Sequence, residues 1–278
     1  MGKLAALSKA LDMSQKARME RAREQGFDVD NPVYHGTHAE KINAFDDDFI
    51  GTQTDGGYFG RGHYFADYKG EAGFYGPNVG EYFTRGKYLN LDNKTGDLTY
   101  TGHFKSFAPK LDELGVLGVD QKKALSSYQK ADAYLNENIR FVPAENYDGT
   151  DGVMAVLPVK SDGYAHDLTS RTTHQGKFPA SAEEAKEQMK HLFYNHARYS
   201  DDVNYPGIGD EAASLSDYVR TDLGADKLTE AAKTAGYDGI KYGDETVVFD
   251  PKNIRSPDAA FDPAKKDSSN LLAGVTGA

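Results

Sequence analysis

Apolar positions near the N-terminus recur at helical spacing. Leu4, Leu7, Leu11 and Met19 fall on one side of residues 3–25, while Lys3, Lys9, Lys16, Arg18, Arg21 and Arg23 take the other faces. Gly26 supplies a stop, so a basic N-terminal helix is expected over 1–26, packed against the body with its charges solvated. From Val33 the texture changes to short aromatic runs punctuated by glycine. Val33–His35 and His63–Phe65 read as brief strands flanking a turn-rich loop at Gly51–Gly62, and Lys69–Tyr75 as one or two helical turns. Glu81–Leu91 is strand-like throughout. Residues 111–138 and 181–198 read as helices from their Leu, Ala, Glu and Lys content, and 151–160 as a strand stopped by Pro158. A helix over 226–234 ends at Gly236, and Ile240–Tyr242 and Thr246–Asp250 are closing strands. The stretch 262–278 is small, polar and rich in Gly and Ala, which predicts a flexible tail.

No internal repeat is visible, and the strands do not alternate regularly with long helices, which argues against a doubly wound parallel sheet. The expected architecture is an α+β domain over 27–261 carrying a largely helical insertion at about 96–215.

Composition narrows the chemistry. The chain has 278 residues, 38% hydrophobic and 27% charged, and no cysteine. Thiol catalysis, cysteine-ligated zinc, iron–sulfur clusters and disulfides are excluded. Lys and Arg number 32 against 43 Asp and Glu, a net charge of −11, which opposes broad charge-driven binding to duplex nucleic acid. No apolar run approaches the roughly 20 residues of a membrane span. The Leu/Ala stretch after Met1 is too short and interrupted for a secretory segment, and Ala6 stands where a myristoylation motif places Ser or Thr, so Gly2 is not read as a lipid site. These features lead us to expect a cytoplasmic protein without a membrane partner.

Two apparent motifs lack context. Gly207-Ile208-Gly209-Asp210-Glu211-Ala212 fits a dinucleotide fingerprint but follows Val-Asn-Tyr-Pro rather than an apolar strand, so we read it as a loop. His191 and His196 lie five apart on a predicted helix with no His-Glu-x-x-His, and are read as ordinary histidines; no metal is expected. Neither a Gly-x-Ser-x-Gly elbow nor a P-loop occurs.

Three segments remain, each placing a polar side chain beside a strand and a glycine. They are Tyr34-His35-Gly36-Thr37; Gly60-Arg61-Gly62-His63-Tyr64-Phe65-Ala66-Asp67 with Phe74-Tyr75 downstream; and Tyr242-Gly243-Asp244-Glu245 leading into Thr246-Val247-Val248-Phe249-Asp250. Glycine lets a ligand approach the backbone, aromatic rings stack on flat groups, and a carboxylate at a strand mouth is rigidly held. In order and separation the three resemble the motifs of the ADP-ribosyltransferase fold in its His-Tyr-Glu branch, the branch of the poly(ADP-ribose) polymerases and diphtheria toxin. The likeness is greater still to the small transferase domains of phage and mobile-element proteins, which open on an Arg-Ala-Arg…Gly-Phe-Asp-Val-Asp…Tyr-His-Gly-Thr segment like that of this chain.

The resemblance implies a split antiparallel sheet and NAD+ as substrate, with Glu245, His35 and Tyr64 catalytic. It implies that His35, Gly36, Thr37, Tyr64, Phe65, Ala66 and Tyr75 contact NAD+: Tyr64 and Tyr75 sandwich the nicotinamide, His35 donates to a ribose hydroxyl, and Gly36 meets the carboxamide. In the arginine-modifying branch the first motif carries Arg and a Glu or Gln precedes the catalytic Glu by two; here His35 and Gly243 hold those places. Arginine is thus disfavoured as acceptor; and since a His-Tyr-Glu triad permits polymer extension only with a further loop holding the incoming chain, the resemblance leads us to expect transfer of one ADP-ribose to a macromolecular acceptor, a host protein side chain. Open alternatives are a nucleic-acid acceptor, a NAD glycohydrolase toxin, or an inactive virion-associated binding module.

Overall fold

The computed structural model describes residues 11–52, 57–91, 100–161, 164–170, 177–197 and 214–274. In chain order these form α1 (Gln15–Glu24), β1 (Val33–Thr37), β2 (His63–Ala66), α2 (Lys69–Ala72), β3 (Asn78–Thr84), β4 (Tyr88–Asn90), α3 (Tyr100–Glu113), α4 (Val119–Asn138) and β5 (Arg140–Glu145). There follow β6 (Asp151–Ser161), β7 (Tyr164–Thr169), α5 (Ala182–Ala197), α6 (Leu215–Tyr218), α7 (Ala225–Thr234), β8 (Gly239–Tyr242), β9 (Glu245–Val248) and β10 (Ile254–Arg255). Two compact units result: Met1–Val116 with Ser214–Ala278, and Leu117–Ala213.

The first unit is built on seven strands in the order β10-β3-β1-β2-β9-β8-β4. Strand β1 pairs along β3 from Val33↔Tyr82 to Thr37↔Asn78, and β2 along β9 from His63↔Val248 to Ala66↔Glu245, but β1 and β2 meet only at Tyr34↔Ala66. The sheet is thus two ladders joined at one point, the split α+β arrangement expected; the pairing is antiparallel except between β4 and β8. Side chains alternate across a strand, and the β-branched and aromatic residues here fill a pleated surface. On one face Val33, Phe65, Tyr82 and Val248 pack with Phe45, Ile254 and Leu271. The rings of Phe45, Phe65 and Tyr82 meet edge to face at centroid distances of 5.2–5.6 Å.

Helix α1 starts later than expected. The Ser14 side chain accepts from the Ala17 N–H, while the Ser14 N–H donates to Asp12 Oδ1, a local turn that stops the helix from extending backward. Residues 3–10 of the expected helix lie outside the described residues. Its arginines are also less solvated than expected. Arg18 donates to the Pro257 carbonyl and Arg21 to that of Ala260, while Ala22 packs with Phe27, Phe83, Ala259 and Phe261.

Three further expectations are corrected in this unit. The strand expected over 81–91 divides into β3 and β4, because β4 leaves the β3 edge to pair with β8. The helix expected over 111–138 also divides. Gly115 adopts φ +72°, and the Val116 N–H returns to the Leu111 carbonyl, closing α3 in a left-handed cap. Finally, 262–274 is packed rather than flexible, because Leu271 is 2% exposed, its N–H donates to Asn43, and its carbonyl accepts from Ser256. Arg85 and Arg255 both donate to the Lys266 carbonyl, and burial beside Arg85 lowers the Arg255 pKa to about 10. Residues 275–278 lie outside the described residues.

The second unit begins at Leu117 rather than near 96, since α3 belongs to the first unit. It is less helical than expected: beside α4 and α5 it contains the antiparallel sheet β5-β6-β7. Strand β6 runs through Pro158 instead of stopping there. Pairing with β5 ends at Val156, so Pro158 faces a ladder only on the β7 side, and its carbonyl accepts from Tyr134 Oη at 2.7 Å. The Gly207–Ala212 stretch lies outside the described residues. His196 Nε2 donates to the Lys160 carbonyl, as befits an ordinary polar histidine.

Candidate active site

The three motif strands are neighbours. Tyr34 pairs with Ala66, Ala66 with Glu245, and Tyr64 with Val247. Directly paired residues project to the same face, so Tyr64 and Glu245 share a face, together with Tyr242, the partner of Glu245 in β8.

Helix α2 lies over this face at Gly36. A Cβ on Gly36 would stand 1.8 Å from the Ala72 carbonyl oxygen, and one on Gly76 would stand 2.3 Å from the Thr37 carbonyl carbon. Only two glycines permit that approach, and it delivers Tyr75 to the site. Tyr75 Oη donates to Glu245 Oε1 at 3.4 Å; the Tyr75 ring is 46% exposed and Glu245 is half-buried.

The Tyr64 hydroxyl is committed elsewhere. It donates to the Gly60 carbonyl at 2.6 Å and accepts from the Phe59 N–H at 3.1 Å, tying the ring to the preceding turn. The Phe59 ring in turn lies tilted against Tyr242 at 4.5 Å, and Tyr242 Oη meets His103 Nδ1 at 3.1 Å.

His35 alternates with Tyr34 and Gly36 and projects to the opposite face, at the opening where β1 and β2 part. Its ring meets Phe45 at 5.1 Å and Phe65 at 5.7 Å. Its Nδ1–H donates to the Tyr64 carbonyl at 2.8 Å. Burial lowers its pKa, opposed in part by that hydrogen bond, so the ring is neutral at pH 7. A neutral imidazole with its proton on Nδ1 presents Nε2 as an acceptor, which reverses the donor role expected for it.

The structure therefore brings Tyr64, Tyr75, Glu245 and the Gly36 backbone to one face, with His35 reaching their strands from the other. Phe65 does not join them: alternation turns it into the core at 2% exposure, so its ring cannot meet a ligand as expected. Ala66 is buried beside Glu245, and Thr37 Oγ1 accepts from the Ala39 N–H.

Sequence reasoning missed His63, whose Nε2–H donates to Asp47 Oδ1 at 3.0 Å. Burial lowers its pKa, against the pull of Asp47. The Asp46-Asp47-Asp48 run carries no spacing that would have paired it with His63. The rim is acidic: burial raises the Glu71 carboxyl pKa, with Asp244 and Asp67 adding to the shift. Among the described residues no group of three His, Cys, Asp or Glu could hold a metal ion, and no helix is long and apolar enough to cross a membrane.

A two-ladder α+β sheet joined beside a His-Gly-Thr strand end is the architecture of an ADP-ribosyltransferase domain. The family described as ADP-ribosyltransferase in polyvalent proteins matches residues 29–260, and the chain belongs to it. That match also spans the region read from sequence as an insertion. No curated protein and no solved structure matches the chain.

Proposed function

We propose that the chain moves a single ADP-ribose from NAD+ to a macromolecular acceptor and releases nicotinamide. The observation that carries this reading is the Tyr75–Glu245 contact on the face shared with Tyr64 and the Gly36 backbone. The residues fit the substrate. Two tyrosine rings suit a flat, uncharged leaving group, and the Gly36 backbone suits its carboxamide. Glu245 accepts from a ribose hydroxyl and stabilises the positive charge that grows on the ribose as the glycosidic bond breaks, more than it stabilises the ground state. Nicotinamide departs neutral, so no acid is required at that end. His35 acts from the opposite face, its Nδ1–H bond to the Tyr64 carbonyl fixing the strand that carries Tyr64, and Glu245 orients or deprotonates the acceptor.

His35 and Gly243 at the positions that mark arginine-modifying enzymes favour another acceptor, a host protein side chain. A nucleic-acid acceptor is the weaker reading: the net charge is −11, and Arg18 and Arg21 are bound to backbone carbonyls. The family description, a transferase domain of polyvalent proteins, supports a phage or mobile-element origin, and with that origin the site of action is the host cytoplasm. Mass spectrometry of a host lysate treated with the protein and NAD+ tests the proposal. One ADP-ribose per modified protein is expected. Free ADP-ribose alone would make it a glycohydrolase, and no nicotinamide release would make it a binding module.

A further inference from the structure

Resting on this transferase reading, we infer that Thr229 on α7 is a positioning residue that holds the Tyr64 ring in place through the turn at 59–61. Thr229 is 7% exposed and lies outside all three sequence motifs. Its Oγ1 accepts from the Arg61 N–H at 2.6 Å and donates to the Arg61 carbonyl at 3.2 Å. From the other side, Tyr64 Oη takes the Phe59 N–H and the Gly60 carbonyl. Two hydroxyls from elements 165 positions apart thus bind three successive residues of one turn. The turn is also held by the Phe59 ring against Tyr242 at 4.5 Å and by the Arg220 guanidinium over the Tyr58 ring, neither of which touches the Arg61 peptide. The Gly57 carbonyl accepts from the Gly60 N–H, and Arg61 Nη1 meets Asp226 at 3.5 Å in an exposed pair of small worth. The fit is close, since a Cβ on Gly60 would stand 3.0 Å from Thr229 Oγ1.

The consequence follows from the geometry. If the Arg61 peptide is released, Phe59 and Gly60 lose their fixed place, and the phenol whose hydroxyl they hold loses its preferred orientation. Binding of a flat ring against Tyr64 weakens, whereas Glu245, on a different strand, is unaffected. The expected signature is a higher KM for NAD+ with kcat preserved.

The test compares T229V, which keeps the side-chain shape but removes the hydroxyl, with T229S, which restores it, and with D226A. T229V should raise KM about tenfold, the scale of one or two net hydrogen bonds, with kcat within about twofold of wild type. T229S and D226A should resemble wild type. Amide exchange at Arg61 should accelerate in T229V alone. Unchanged KM in T229V, or kcat falling with the folded fraction while KM stays fixed, overturns the inference. A wild-type chain that neither binds nor cleaves NAD+ overturns the transferase reading instead. The link from Thr229 to Tyr64 is then judged by the NMR signals of the Tyr64 ring, which T229V should shift and T229S should restore; no shift overturns it.

Discussion

Tyr75 Oη and Glu245 Oε1 stand 3.4 Å apart although 170 positions separate them in the chain. The contact exists because α2 is seated on Gly36 and because β9 is paired to β2 at Ala66. It separates two roles that mutation can distinguish. Glu245→Gln keeps the shape and removes the charge, so nicotinamide release should fall by about two to three orders of magnitude, the scale of losing one electrostatic stabiliser. Tyr75→Phe keeps the ring and removes the hydroxyl that makes this long hydrogen bond; it should cost no more than about fivefold, the scale of a weak neutral hydrogen bond. Tyr75→Ala should raise KM more than Tyr75→Phe does. A Tyr75→Phe enzyme as impaired as Glu245→Gln would make the hydroxyl, and not the ring, the working part.

His35, half-buried, and His63, buried, predict a pH dependence of stability. Burial lowers the pKa of both His35 and His63 below the ordinary 6.5, so the folded chain resists a proton that the unfolded chain accepts. Their contribution is fully present above about pH 6.5 and is lost as pH falls from there toward the folded-state values. Melting temperature should therefore rise between pH 5 and 7 and level off above. His35→Gln and His63→Gln should each flatten that rise. At His63 the pull of Asp47 opposes the shift, as the bond to the Tyr64 carbonyl does at His35. A melting curve independent of pH across this window would contradict the assignment of both rings as neutral.

Gly36 offers a steric test. Any Cβ there meets the Ala72 carbonyl at 1.8 Å, too close for adjustment by a side chain, so the backbone of α2 must lift. Gly36→Ala should displace residues 72–76 and take Tyr75 from Glu245, with the Val33, Phe65 and Val248 core retained. Nicotinamide release should fall by at least about tenfold with only a modest change in melting temperature, since small misplacements of a site are costly. Full activity in Gly36→Ala would mean that the seating of α2 does not matter to the chemistry.

The three motif strands are legible because each pairs a polar or aromatic group with glycine in a few consecutive residues, a signal that needs no knowledge of the rest of the chain. Helices α5 and α7 were legible for a similar local reason, their periodic small and apolar positions. What failed depended on distant contacts or on weak alternation. Strands β5 and β7 are largely exposed and carry Pro143, His166 and Asp167, so no apolar rhythm announces them. The apolar spacing over 3–25 does not register the Asp12–Ser14 turn, which sets the start of α1 at Gln15. The Phe65 assignment was avoidable: a period of two separates Tyr64 from Phe65, and only one of them can face the ligand side. The Tyr64-to-Thr229 link was not readable, since a lone threonine on an amphipathic helix gives no sign of what its hydroxyl will meet.

The C-terminal segment gives the last prediction, because sequence and structure imply opposite results. A flexible tail can be removed without cost. Here, however, Leu271 is 2% exposed in the same cluster as Val33, Phe45, Phe65, Tyr82 and Val248, directly beneath the strands that carry Tyr64 and Glu245. Its peptide bridges Asn43 and Ser256, and the carbonyl of Lys266 is held by two arginines. Leu271→Ala leaves a cavity in that cluster and should lower unfolding free energy by about 2–5 kcal/mol, measured by chemical denaturation. Removing everything after Phe261 deletes the leucine and exposes Phe45 and Ile254, so it should destabilise the first unit more than the point substitution does. If the chain ending at Phe261 unfolded at the same denaturant concentration as the full chain, Leu271 would not be part of the core.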